Sequence, residues 1–116
     1  MLPVSAPFHC SLMKPAADTM KNKINSVKFK DPNIEIITNV TARSETKADN
    51  IKDLLLQQIY SKVRWRESIL YMVNQGVNEF IEFGPGKVLS GLVKRITKST
   101  KTININSNED IKSFTI

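Results

Sequence analysis

Apolar residues recur along the chain at two different spacings, and the spacing changes from element to element. Between residues 11 and about 29 they fall at Leu12, Met13, Ala16, Ala17, Met20, Ile24 and Val27. Steps of three and four paint one face of a helix. Pro15 fits there only near the helix start, where the first N–H groups lack partners anyway. Asp31, Pro32 and Asn33 are turn chemistry. Residues 34–38, IEIIT, then read as a strand rich in β-branched side chains. Residues 46–49 resemble a helix start with Thr46 as the capping candidate. Ile51, Leu54, Leu55, Gln58 and Ile59 continue that helix at i, i+3, i+4, i+7 and i+8. Trp65, Ile69, Met72 and Val73 form a second helical stripe, which Gly76 is placed to end. Residues 78–83, NEFIEF, predict a short buried strand broken by Gly84, Pro85 and Gly86. Val88, Leu89, Leu92, Val93 and Ile96 make another amphipathic helix. Residues 102–106, TININ, alternate with period two and read as a last strand, and residues 108–116 add a short helix. Residues 1–8 read as extended, because Pro3 and Pro7 bias the residue before each away from helix.

Strands separated by helices place the chain in the α/β class and imply parallel pairing with right-handed crossovers. Three short strands make a narrow sheet, while each helix offers a full apolar face. The pattern predicts a sheet that needs more neighbours than these residues supply. The length of 116 residues suits one domain. A composition of 41% hydrophobic and 24% charged residues excludes wholesale disorder. No apolar run approaches the roughly 18–20 residues needed to cross a bilayer. The start, MLPVSAPFHCSLMKP, lacks a basic segment followed by an apolar one, so no secretory signal is expected. The single cysteine, Cys10, has no partner for an internal disulfide, and a reducing, cytoplasmic setting is the expectation.

A net charge of +6 suits an acidic partner or solvent. Thirteen of the seventeen cations are Lys and they are spread along the chain, with one modest cluster at Lys94, Arg95, Lys98 and Lys101. A nucleic-acid site would usually add Arg and stacking aromatics, so a solvated Lys-rich surface is the preferred reading.

Candidate chemistry centres on the only histidine, His9, within Pro7-Phe8-His9-Cys10-Ser11. A lone histidine is more often structural than catalytic. This one sits where an extended segment meets a helix, a junction at which catalytic groups are often mounted, and it is suited to act as a general base toward a hydroxyl or thiol. Cys10 reads as a small, partly buried thiol and Ser11 as a helix cap rather than a nucleophile. Gly84-Pro85-Gly86-Lys87 lies between a strand and a helix. Such a turn can hold an anion on helix N–H groups, but a tight turn requiring glycine dihedrals is the simpler reading. The 116 residues contain no Walker A loop, no GxGxxG and no GxSxG nucleophile elbow. One His and one Cys are too few for the usual four-ligand zinc site, so no metal is expected.

Three runs carry a family resemblance: VSAPFHCSLMKPA, LLLQQIYSKVRWRESILYM and EFGPGKVLSGLVKRI. In this order and spacing they resemble malonyl-CoA:acyl carrier protein transacylases, the malonyltransferases of bacterial fatty-acid synthesis. The resemblance covers essentially all 116 residues but only the C-terminal part of the family's much longer catalytic unit. It implies that residues 1–116 are a single partial acyltransferase domain. That domain would be the C-terminal portion of a parallel-sheet, α/β-hydrolase-like fold. The nucleophile elbow and the small ferredoxin-like subdomain would lie outside it. The implied activity is malonyl transfer from coenzyme A to the phosphopantetheine thiol of acyl carrier protein by a Ser-His mechanism. His9 matches the histidine that serves as base and then acid, and Gln58 the glutamine whose backbone carbonyl orients it. No cofactor is implied; malonyl-CoA and the acidic acyl carrier protein are the implied substrates and partners, without nucleic acid or membrane. The serine, its oxyanion donors and the malonyl-pairing arginine have no match here, so the isolated chain is expected to be inactive. The alternative is a truncated or split-gene fragment, either inert or docking with a separate N-terminal piece or with acyl carrier protein. The +6 charge would also suit a small basic module that binds such an acidic protein.

Overall fold

The computed structural model describes residues 8–114, so the expected extended run through residues 1–7 lies outside the described residues. The chain groups into two compact units, Met1–Ser68 and Ile69–Ile116, with the boundary inside one helix.

In the first unit a single 3-10 turn, Ser11–Met13, leads into α1 (Lys14–Ser26). Pro15 occupies the first turn of α1, as its missing N–H requires. Ser11 is not the cap: the residue before the 3-10 turn is Cys10, extended and without a side-chain cap bond, and α1 itself starts after Met13. α2 (Ala48–Tyr60) packs against α1 and against the 3-10 turn. Ala17 is buried on α1, and Ala48 and Ile51 on α2. Thr46 is not the cap of α2 either. The helix follows Lys47, and the Ala48 N–H donates 2.8 Å to a carboxylate oxygen of Asp31, seventeen residues earlier. That bond, helped by the charge of Lys47 and only partly opposed by desolvation, holds the Asp31 carboxyl below the usual carboxylate range.

The IEIIT segment departs from expectation. Only Ile36–Ile37 (β1) is strand, and it pairs antiparallel with Ser44–Glu45 (β2). A parallel partner needs a crossover of a dozen or more residues. Here the chain turns back at once, with the Ala42 N–H donating to the Thr38 carbonyl and the Thr38 N–H to the Arg43 carbonyl. Ala42 takes a φ of 56° to close the turn and is buried.

α3 (Trp65–Asn74) crosses the unit boundary, and Gly76, at φ 97°, follows its end. The second unit is a β–α–β arrangement. β3 (Glu79–Phe83) and β4 (Lys101–Ile105) pair in parallel, joined through α4 (Val88–Ile96), as the alternation predicts. The register sets Ile81 beside Ile103 and Phe83 beside Ile105. α5 (Asn108–Ser113) follows with Ser107 as a true cap, its hydroxyl accepting from the Asp110 N–H at 3.1 Å. Ile69, Val93 and Ile105 are the buried apolar residues of this unit. Ile69 is 1% exposed, and its truncation to Ala is worth about 2–5 kcal/mol. The fold is a partial α/β architecture with a parallel sheet. Among the described residues no helix is long and apolar enough to cross a membrane.

Candidate active site

The site is built on the C-terminal end of α2. The last four carbonyls of any α-helix have no amide to receive within the helix. α2 stops at Tyr60, and Ser61 leaves in an extended conformation (φ −106°, ψ 154°). The carbonyl of Gln58 is therefore one of the acceptors left open by the helix end.

His9 reaches that acceptor. It stands immediately before Cys10 and the 3-10 turn that packs on α2. Its backbone adopts φ 55°, a left-handed conformation uncommon for a residue with a Cβ. Its Nδ1 lies 2.8 Å from the Gln58 carbonyl oxygen, across 49 residues of sequence. A carbonyl can only accept, so Nδ1 carries the hydrogen and donates it. The residue is otherwise exposed. His9 and Gln58, which the family resemblance pairs, form one contact. Cys10 is half-buried.

Asn39 is a further member that residue type alone did not suggest. Its Nδ2 donates to Oε1 of Gln58 at 3.4 Å, and its own carbonyl accepts from the Arg64 N–H at 3.1 Å. The Arg64 guanidinium in turn donates to the Thr41 carbonyl at 3.1 Å and pairs with Glu67. This set ties the chain after β1 to the end of α2 and to the start of α3. The only sequence signal for it is the polar Asn39 directly after the β-branched run.

The Gly84–Lys87 turn is organised differently. Gly84 and Gly86 have φ of 123° and 80°, so the glycine dihedrals are required. The N-terminus of α4 is already filled from within. Glu82 accepts from the Leu89 N–H at 3.1 Å, the Ser90 N–H at 2.9 Å and the Ser90 hydroxyl at 2.6 Å. Asn104 adds a donor to the same carboxylate at 2.9 Å. These bonds, that of the Ser90 hydroxyl foremost, hold the Glu82 carboxyl below its usual range. An internal carboxylate thus takes the place an outside anion would need.

No protein-family model matches the chain. Individual proteins do. The malonyl CoA-acyl carrier protein transacylase of Bacillus subtilis strain 168 is 47% identical over 111 residues, 96% of this chain and 35% of that protein. The crystal structure of an acyl carrier protein S-malonyltransferase from Vibrio cholerae superposes with a TM-score of 0.87 at 46% identity, over 97% of this chain and 37% of that one. A malonyl-transacylase solved in complex with its type II PKS acyl-carrier protein gives a TM-score of 0.86 at 38% identity, over 97% and 36%. The chain spans about a third of the length of these relatives. Along nearly all of its described sequence and fold it is a homologue of the malonyl CoA-acyl carrier protein transacylases, matching one part of them.

Proposed function

We propose that His9 is the general base and acid of a malonyl-CoA:acyl carrier protein transacylase, held for that role by the backbone carbonyl of Gln58. The observation that carries this reading is the 2.8 Å contact between Nδ1 and the carbonyl oxygen. A carbonyl in that position fixes one tautomer and leaves Nε2 for proton transfer, the task an aspartate performs in many Ser-His sites. The helix end adds its partial negative charge on the same side of the ring, where it favours a passing imidazolium.

The chemistry runs in two half-reactions. Nε2 takes the proton of a serine hydroxyl as that oxygen attacks the thioester carbonyl of malonyl-CoA. The thioester C–S bond breaks, and the proton passes to the departing coenzyme A sulfur. In the second half, Nε2 takes the proton of the acyl carrier protein's phosphopantetheine thiol. That sulfur attacks the malonyl ester, and the proton returns to the serine oxygen. Acyl carrier proteins are acidic, and the +6 charge of the chain favours their approach. A reducing, cytoplasmic setting goes with this reading, in keeping with the single cysteine.

No GxSxG elbow occurs within the 116 residues, so the serine must come from elsewhere in the working enzyme. The test has two arms. The purified 116-residue chain should transfer no malonyl group above a protein-free blank. A chimera in which these residues replace the matching stretch of the Bacillus subtilis relative should transfer it, and His9→Ala should abolish that transfer. Turnover by the isolated chain, or a chimera indifferent to His9→Ala, overturns the reading.

A further inference from the structure

The Gln58 carbonyl can aim His9 only if the last turn of α2 keeps its place. Helix ends fray, and this one lacks the usual glycine stop, since residues 59–64, IYSKVR, contain none. Packing does not lock it either. A hollow of about 80 Å³ lies between β1 and α2, lined by Ile37, Ile51, Leu54 and Leu55 among others, with Asn39 and Gln58 also on its wall. Close-packed interiors leave few voids of that size. Polar ties are left to fix the turn that carries the carbonyl.

Those ties meet at Arg64, just before α3. Its N–H donates to the Asn39 carbonyl at 3.1 Å. One guanidinium nitrogen donates to the Thr41 carbonyl at 3.1 Å and toward the Val40 carbonyl at 3.4 Å, while Nε pairs with Glu67 in the first turn of α3. Arg64 so grips the successive carbonyls of residues 39, 40 and 41 in the turn between β1 and β2. That turn is itself stiff. The Thr38 and Thr41 hydroxyls lie 2.6 Å apart, the Thr38 N–H donates to the Arg43 carbonyl at 3.2 Å, and Ala42 is buried at its left-handed φ of 56°. From the same turn the Asn39 side chain reaches back to Oε1 of Gln58 at 3.4 Å. The chain leaving α2 and the residue that holds His9 are thus fastened to one post. A guanidinium suits the task because its planar fork sends donors in two directions, whereas a lysine ammonium is a point charge. The pair with Glu67 is exposed, so it adds little to stability.

We infer that Arg64 is a positioning residue for malonyl transfer. By gripping the turn that holds Gln58, it sets where the last turn of α2 lies and therefore where the Gln58 carbonyl meets Nδ1 of His9. It acts through Asn39 and Gln58 and not on the substrate. A reacting group misplaced by about 1 Å can cost about a hundredfold in rate. Loosening one clamp, with α2 still formed, should cost a part of that. This inference rests on the reading of His9 as the acid–base group.

Two proteins test the clamp. In the chimera, Arg64→Lys keeps the charge and removes the fork. It should lower kcat about tenfold and leave KM for malonyl-CoA within about twofold. Asn39→Ala cuts the link nearer Gln58 and should cost about threefold, with Gln58→Ala adding nothing to it, because both remove one bond. In the 116-residue chain His9 is the only histidine, so NMR reads its ring nitrogens without ambiguity. At a pH where the ring is neutral, an imidazole held by a carbonyl keeps its hydrogen on Nδ1, and a released one shares it between both nitrogens. The wild-type ring should show the first pattern and Arg64→Lys the second, with thermal midpoints within about 2 °C of each other. An unchanged kcat overturns the inference, whether or not KM rises. So does a ring that stays Nδ1-protonated in Arg64→Lys, or one that already averages in the wild-type chain. A variant that melts early marks a merely structural residue and overturns it too. The outcome is separable from the catalytic reading. A chimera indifferent to His9→Ala removes that reading, while the ring of the 116-residue chain still reports the clamp. Transfer lost with His9→Ala but kept with Arg64→Lys removes the clamp and leaves the catalytic reading.

Discussion

Two helix ends in this molecule solve the same electrostatic problem in opposite ways. The N-terminus of α4 is closed by Glu82, which engages two main-chain N–H groups and the Ser90 and Asn104 side chains. The C-terminus of α2 gives its Gln58 carbonyl to a single exposed imidazole. The first arrangement satisfies every participant from within one unit and has no chemistry left to perform. In the second, one ring nitrogen is satisfied and the other is available. A carboxylate at a helix start and an imidazole at a helix end are both favoured by the helix dipole. What separates structure from chemistry is whether the partner has an unspent atom.

The largest expected effect breaks the second helix end. In the chimera, His9→Ala should lower malonyl transfer by about a thousandfold, within the range lost with a positioned acid–base group. A transfer assay at saturating malonyl-CoA reads this directly. The same substitution should barely change the thermal midpoint, since His9 is exposed.

The next effect breaks the first helix end. Asn104→Ala removes donors to Glu82 and to the Ser90 hydroxyl, each at 2.9 Å, and should cost about 1–2 kcal/mol in a denaturant titration. Malonyl transfer by folded chimera should not change, because the start of α4 is satisfied from within. A catalytic loss without a stability loss would reverse the contrast drawn between the two ends.

Acid should weaken the first end, and the start of α2 with it. The Glu82 and Asp31 carboxyls both lie below their ordinary values in the folded chain. A carboxylate depressed by folding binds its proton more weakly in the folded state. Its contribution is fully present above the unfolded value, near pH 4, and is lost as pH falls through the lower folded value. Unfolding followed by circular dichroism from pH 6 down to pH 2 should show the stability fall in that window. Glu82→Gln should flatten the fall.

The smallest effect is the most diagnostic of the second end. Gln58→Ala keeps the main-chain carbonyl and should cost transfer no more than about threefold, chiefly through the lost Asn39 contact. Gln58→Pro, which disrupts the last turn of α2, should cost far more. Equal losses in the two variants would mean that the glutamine side chain matters and the carbonyl does not.

The helices were legible because each must bury one face: α1, α2, α3 and α4 lie where apolar residues step by three and four. β4 was legible from its period-two alternation and β3 as a short apolar run before a glycine turn, though β3 is not buried as expected: Ile81 and Phe83 are exposed. The partner of β1 was not, since Ser44–Glu45 has no apolar alternation to mark it as a strand. Asp31 at the start of α2 and Glu82 at the start of α4 are bonds made by tertiary placement, seventeen and eight residues away, and local cap rules point instead to Thr46. His9 stood out as the only histidine. Gln58 entered only through resemblance, because a backbone carbonyl belongs equally to every residue type.

That carbonyl places an unusual demand on heredity. The group that aims His9 is specified by no codon, since any residue at position 58 would supply an oxygen. What must be inherited is a count: the number of residues between the start of α2 and its stop after Tyr60. One residue gained or lost inside the helix turns everything beyond it by about 100° and shifts it by about 1.5 Å. Such an indel would carry the oxygen away from the ring while leaving each neighbouring letter intact. Point substitutions other than proline at this position should thus be tolerated among working relatives, and changes of helix length should not.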